Sequence, residues 1–109
     1  MKYFITAAKR QGSLYFEFQK GHFVDKFWLD DSLYLHVDTF DELEMYDLFS
    51  RAIPHFQYYA RTKVTLEDWQ TLLTLAHECG GSRDEVIIEL ASWAEDCFKS
   101  GDMFTICGI

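Results

Sequence analysis

The chain has 109 residues, 49% of them hydrophobic and 17% aromatic, with six Gly and one Pro. This is the length of one small domain and the composition of a packed core, which excludes a disordered or fibrous chain. Ten Lys and Arg against 18 Asp and Glu leave a net charge of −8, which argues against a nucleic-acid or anionic-membrane binder, since both need a basic patch.

Residues 3–8 are rich in β-formers and read as a first strand, followed by a turn at Gln11-Gly12-Ser13. The apolar run there is about six residues, shorter than the roughly 7–15 of a secretion signal. Leu14, Phe16 and Phe18 then alternate with Tyr15, Glu17 and Gln19, the period-two pattern of a half-buried strand. Lys20-Gly21 turns the chain into a third expected strand at residues 22–29, and Asp30-Asp31-Ser32 turns it again. Leu33, Leu35 and Val37 alternate with Tyr34, His36 and Asp38 in a fourth. Turns at such short intervals favour antiparallel hairpins over parallel crossovers.

Thr39-Phe40-Asp41-Glu42 reads as a capping box opening a helix that runs to about residue 53, before Pro54. Leu43, Tyr46, Phe49 and Ile53 share its expected apolar face, opposite Asp41, Glu44, Asp47 and Arg51. Residues 55–63 read as a strand or a loop. Thr65 and Asp68 form a second capping box, with a buried stripe of Leu66, Trp69, Leu72, Leu73, Ala76 and Cys79 that ends at Gly80-Gly81. Ser82-Arg83-Asp84-Glu85 reads as a third box, and Val86, Ile87, Leu90, Trp93, Ala94, Cys97 and Phe98 recur at helical spacing up to the stop at Gly101. Residues 103–109 close the chain as a strand beside the meander. The expected architecture is one α+β domain over residues 1–109: a mainly antiparallel sheet with about three helices packed on it.

Catalytic signatures are absent. The chain holds no G-x-S-x-G elbow, phosphate-cradling glycine loop or H-E-x-x-H. Cys79, Cys97 and Cys107 are three in number and widely spaced, without a C-x-x-C pair, which fits free thiols in a reducing cytosol. Cys97 falls on an apolar helix stripe and reads as core. His22, His36 and Asp38 are the one set that adjacent strands would bring together for acid–base or metal chemistry; the competing reading is a solvated sheet face. No cofactor or metal is expected, and the chain reads as a non-enzyme. The alternative is a small-ligand domain or small enzyme with a cleft between the sheet and Trp69 or Trp93, whose competing reading is core packing.

The acids are unevenly placed. Residues 1–26 carry five Lys and Arg against two acids, while residues 27–50 carry seven acids (Asp30, Asp31, Asp38, Asp41, Glu42, Glu44, Asp47) and no Lys or Arg. A single-sign field concentrates an oppositely charged partner. If Leu33, Leu35 and Val37 face the core, then Tyr34, His36 and Asp38 face outward, as do Tyr15 and Glu17 from their strand. Aromatics framed by carboxylates suit a protein-binding surface, and the alternative is that a helix covers them as second-core residues. The expected contact set is Trp28, Asp30, Asp31, Tyr34, His36, Asp38, Asp41, Glu44 and Asp47.

With Asp30-Asp31-Ser32-Leu33-Tyr34-Leu35-His36, Asp38-Thr39-Phe40-Asp41 and the ending Met103-Phe104-Thr105-Ile106-Cys107-Gly108-Ile109, the chain resembles the small acidic immunity proteins of bacterial contact-dependent growth inhibition and polymorphic-toxin systems. The resemblance lies in size, acidity, α+β organisation and lack of a catalytic signature over the whole chain. It implies a cytoplasmic inhibitor that binds the basic surface of a cognate toxin domain, of nuclease type, with Asp38, Asp41, Glu44 and Asp47 supplying the field and Tyr34, His36 and Trp28 the anchors. Neither nucleic acid nor a membrane is an expected partner.

Overall fold

The structure, a computed structural model, describes all 109 residues. Three strands, β1 (Phe4–Thr6), β2 (Tyr15–Lys20) and β3 (Leu33–His36), precede α1 (Val37–Glu42) and α2 (Met45–Ala52). β4 (Arg61–Thr65), α3 (Leu66–Cys79), α4 (Gly81–Ser100) and β5 (Met103–Cys107) follow. The strands form one antiparallel sheet in the order β1-β3-β2-β5-β4, and the helices cover one of its faces. The α+β architecture expected from the sequence is therefore the one observed.

Register explains which side chains meet the helices. Phe16 lies opposite Leu35, Phe18 opposite Leu33 and Ile106, and Val64 opposite Phe104. All seven are buried with Phe40, Leu48, Phe49, Trp69, Leu72, Ile87 and Leu90 in one core. Phe16 stacks on Phe40 at 4.0 Å, and Phe4 meets Phe18 edge-on at 5.2 Å. On the edge strand β1, Glu89 of α4 accepts the N–H groups of Lys2, Tyr3 and Phe4 at 2.7–2.9 Å. One helix carboxylate thus satisfies three successive amides that a short edge strand would otherwise leave unpaired.

Helix termini follow local chemistry in one case and tertiary packing in two. At α3 the capping box forms: Asp68 N–H donates to Thr65 Oγ1 at 3.2 Å, and Thr65 N–H to Asp68 Oδ2 at 3.0 Å. The expected box at Thr39 does not form. His36 caps α1 instead, its Nδ1 accepting the Asp38 N–H at 3.0 Å, and Thr39 lies inside the helix. The expected single helix to residue 53 also breaks, because Glu44 adopts a left-handed conformation at φ 55°. A continuous helix would point Phe40 about 130° away from the mean direction of Met45, Leu48, Phe49 and Ala52. The break turns both sets into the core, leaving Leu43 half-buried and Tyr46 exposed. The third box is likewise absent, since α4 begins at Gly81, one residue ahead of Ser82, and Leu66 is exposed rather than in the α3 stripe.

The largest departure is at residues 22–29, which form no strand. Residues 21–32 cross the outer face of the sheet as an irregular loop, and Glu17 holds them there. Glu17 sits in mid-strand on that face, only 1% exposed, and accepts Trp28 N–H and Leu29 N–H at 2.8 Å and Ser32 Oγ–H at 2.7 Å. The Tyr34 hydroxyl lies 3.4 Å from the same carboxylate but 2.6 Å from Leu29 O, which takes its single proton. Gln19 donates to Lys26 O and Thr105 to Gly21 O, adding two further ties. Tyr15, Glu17 and Tyr34, expected to face solvent, are buried beneath this loop; the covering element is a loop rather than a helix.

A buried carboxylate that loses a matched acceptor leaves donors unsatisfied. Glu17→Gln places an NH2 group against these N–H and O–H donors and is expected to destabilise the fold by about 2–4 kcal/mol. Urea unfolding checks the loss. Amide exchange should show residues 22–31 exchanging faster than β2 and β3 in the same variant.

Candidate functional site

The nine acids and aromatics expected to form one surface divide into four settings. Trp28 and Tyr34 belong to the layer over the outer sheet face. Their rings stack at 5.9 Å and 27°, with the Arg10 guanidinium 4.3 Å from the Trp28 centroid. Trp28 holds a left-handed φ of 61°, and both its N–H and that of Leu29 go to Glu17. Tyr34 is fully buried and so is not an anchor for a partner, and Trp28 is half-buried with Tyr34 on one side and Arg10 beside it.

Asp30 and Asp31 lie exposed at the start of β3, where Trp93 Nε1–H donates to Asp31 O at 3.2 Å. Asp38 and Asp41 follow the other end of that strand. Asp31 and Asp38 are seven positions apart and flank the two ends of β3, so the acidic segment is divided between the ends of that strand.

Asp47 is compensated from outside the segment. Its Oδ2 lies 3.4 Å from Arg51 and 3.6 Å from Arg83 of α4, tying α2 to α4. Asp38, Asp41 and Glu44 are exposed and have no Lys or Arg partner. His36 Nδ1 lies 3.7 Å from Asp38 Oδ2, but a nitrogen that accepts a backbone N–H carries no proton there, so this contact is not an ion pair.

Of these three, Asp41 lines a surface that alternation along the chain did not reveal, and Asp38 is near enough for its charge to act on Tyr58. An open depression of about 470 Å³ is lined by Asp41, Tyr46, Phe56, Gln57, Tyr58 and Tyr59. Tyr59 also lines a second depression, of about 250 Å³, with Phe27, Ala60, Arg61, Gly108 and Ile109. Phe27, Gly108 and Ile109 in turn line a third, of about 350 Å³, which continues to Leu14, Tyr15, Glu17 and Trp28. Shared walls make the three one band across the molecule. Nine large hydrophobic side chains are exposed on the whole protein, and five of them lie on this band: Leu14 (56%), Phe27 (47%), Tyr46 (51%), Tyr59 (79%) and Ile109 (41%). Contiguity of that kind distinguishes a binding surface from scattered apolar residues.

Fixed backbone positions the middle of the band. Gly108 N–H donates to Ala60 O and Ile109 N–H to Tyr58 O, both at 2.8 Å, so the segment after β5 extends the pairing with the 58–60 loop. A Cβ at Gly108 would collide with the Tyr58 carbonyl and come within 2.8 Å of Ala60 O. Tyr58 also donates its hydroxyl to Asp41, at 2.9 and 3.1 Å from the two carboxylate oxygens. Desolvation first, and then this carboxylate, push the Tyr58 phenol up to about 12, keeping it a neutral donor.

The His22, His36 and Asp38 set is not brought together. His22 faces Asp102 at 3.7 Å rather than His36, and no three His, Cys, Asp or Glu side chains come together as a metal site. Burial raises the Cys97 thiol to about 11 and the Cys107 thiol to about 12, so neither is a thiolate at neutral pH. The cleft expected beside Trp69 or Trp93 does not open. Both rings pack edge-on against Phe104, at 6.2 and 5.4 Å, and neither lines a depression. No helix is long and apolar enough to cross a membrane.

Gly108→Ala must displace the 58–60 loop and with it Tyr58 and Tyr59. The expected result is a loss of about 1–3 kcal/mol and shifted side-chain resonances for both tyrosines, read by unfolding and by NMR.

No protein-family model, curated protein or solved structure matches the chain.

Proposed function

We propose that this protein is an immunity protein: an inhibitor that binds a cognate bacterial toxin domain, of nuclease type, and neutralises it by covering a basic surface. The observation that carries the reading is the band of exposed apolar and aromatic side chains with unpaired carboxylates at one end. Large anchors at the centre of an interface supply affinity, and a charged margin supplies steering and orientation. A nuclease holds phosphates with Lys and Arg, and the carboxylates of Asp38, Asp41 and Glu44 present negative charge to such a surface.

One observation favours a second reading. The depression beside Trp28 is mainly apolar, and its volume of about 350 Å³ falls within the range of small-ligand sites. Its buried carboxylate, however, is already engaged by two backbone amides and Ser32, which leaves little polar capacity to orient a ligand.

The test uses the protein encoded immediately upstream of this chain's gene, expressed as its isolated toxic domain. Co-expression with the present protein should restore growth. Asp38→Lys, Asp41→Lys and Glu44→Lys together should slow association about tenfold or more at low ionic strength and flatten its salt dependence. Asp30→Lys with Asp31→Lys, at the other end of β3, should change the rate by less than about twofold at about 0.15 M salt, where charges more than about 8 Å apart are largely screened. Equal effects from both sets, or none from the first, would remove the carboxylate margin from the interface.

A further inference from the structure

We propose that the depression between α2 and the 56–59 loop is a receptor for one cationic side chain, lysine or arginine, presented by the bound protein. The partner's identity rests on the reading above, whereas the preference for a cation follows from the site.

The walls are aromatic and inclined to one another. Tyr46 lies 5.9 Å from Phe56 at 58° and 6.1 Å from Tyr58 at 65°, while Tyr59 meets Tyr58 at 4.7 Å and 60°. Each inclined contact occupies one face of a ring at most, and an unoccupied aromatic face is the negative end of the ring quadrupole. Phe56 is buried and forms a floor, while Tyr46 and Tyr59 are more than half exposed and have surface to give.

The second contribution is Asp41. Its carboxylate lines the same depression and is held in place by the Tyr58 hydroxyl, without any Lys, Arg or His partner. Arg51 is engaged with Asp47, and Arg61 lies over the Phe23 ring at 4.2 Å. No cationic residue lines the depression. Ring faces and carboxylate therefore act with the same sign: an anion is repelled, a neutral apolar group leaves the carboxylate unused, and a cation engages both. Tyr59 also connects this depression to the apolar part of the band, so an inserted side chain would continue into the rest of a protein interface.

The experiment is an NMR titration with N-acetyl-lysine amide and N-acetyl-arginine amide, against N-acetyl-norleucine amide and N-acetyl-glutamate amide. The expected result is saturable shifts at Asp41, Tyr46, Tyr58 and Tyr59 with a cationic probe and none with the neutral or anionic one. Whichever of the two cations binds more tightly identifies the side chain. Tyr59→Ala and Asp41→Asn should each weaken binding about threefold to tenfold, and Tyr59→Phe should retain it. Tyr59 and Asp41 are both exposed, and the amide oxygen that Asp41→Asn introduces can still accept the Tyr58 hydroxyl, so these variants keep the fold. Equal binding of norleucine and lysine probes, or shifts outside these residues, overturns the proposal. The upstream-encoded domain separates the two readings. If it dissociates from Tyr59→Ala at the wild-type rate and the probes show no cation preference, the receptor fails while the interface stands. If the probes behave as expected and that domain does not bind, the receptor stands and the toxin reading fails.

Discussion

A carboxylate buried in the middle of a sheet is tolerable only when donors surround it, and Glu17 meets that condition with the chain that follows it. Two successive amides and a serine hydroxyl converge on its oxygens. That requirement draws residues 21–32 across the outer face, where Trp28 and Tyr34 stack under Arg10. A sheet that would otherwise have one wet face is covered on both, by helices on one side and a loop on the other. β5 shows the consequence. It lies between β2 and β4, and all five of its residues are buried.

The loop also supplies the surface. Phe27 precedes the latched Trp28 and reaches Gly108 and Ile109, and Gly108 in turn packs against the loop that bears Tyr58 and Tyr59. Backbone contacts hold the band, while exposed aromatic side chains decorate it. Rigid support with apolar projections lowers the entropic cost of binding a protein. The carboxylates of Asp38 and Asp41 sit at its end because His36 starts α1 there, directly after a core strand.

Much of this was legible in the residues. Alternation at Phe16–Phe18 and Leu33–Leu35, the Thr65–Asp68 box, the Gly80-Gly81 corner and the apolar closing strand all appear where local pattern places them, because neighbours in sequence decide them. Residues 22–29 misled for a physical reason: aromatic residues that pack a loop onto a sheet look like strand residues when their partner, Glu17, is taken as solvated. The break at Glu44 was hidden as well, since its cause is the different direction in which Phe40 and Met45 must point. Asp47 counts as uncompensated only when the acidic segment is cut at residue 50, since Arg51 follows one turn on and Arg83 comes from α4. Tyr58 and Tyr59 carried a signal that alternation could have raised: adjacent aromatics in a strand point to opposite faces, yet here both line one depression in a loop.

The proposed partner-binding face is one band, from the Asp41 depression through Ile109 to Leu14. Hydrogen–deuterium exchange of the protein alone and bound to the domain encoded upstream reads that face directly. Protection concentrated in residues 14–15, 27–28, 41–46, 56–61 and 107–109 is the predicted result. Protection confined to the solvent-facing sides of α3 and α4, with these segments unchanged, would contradict it.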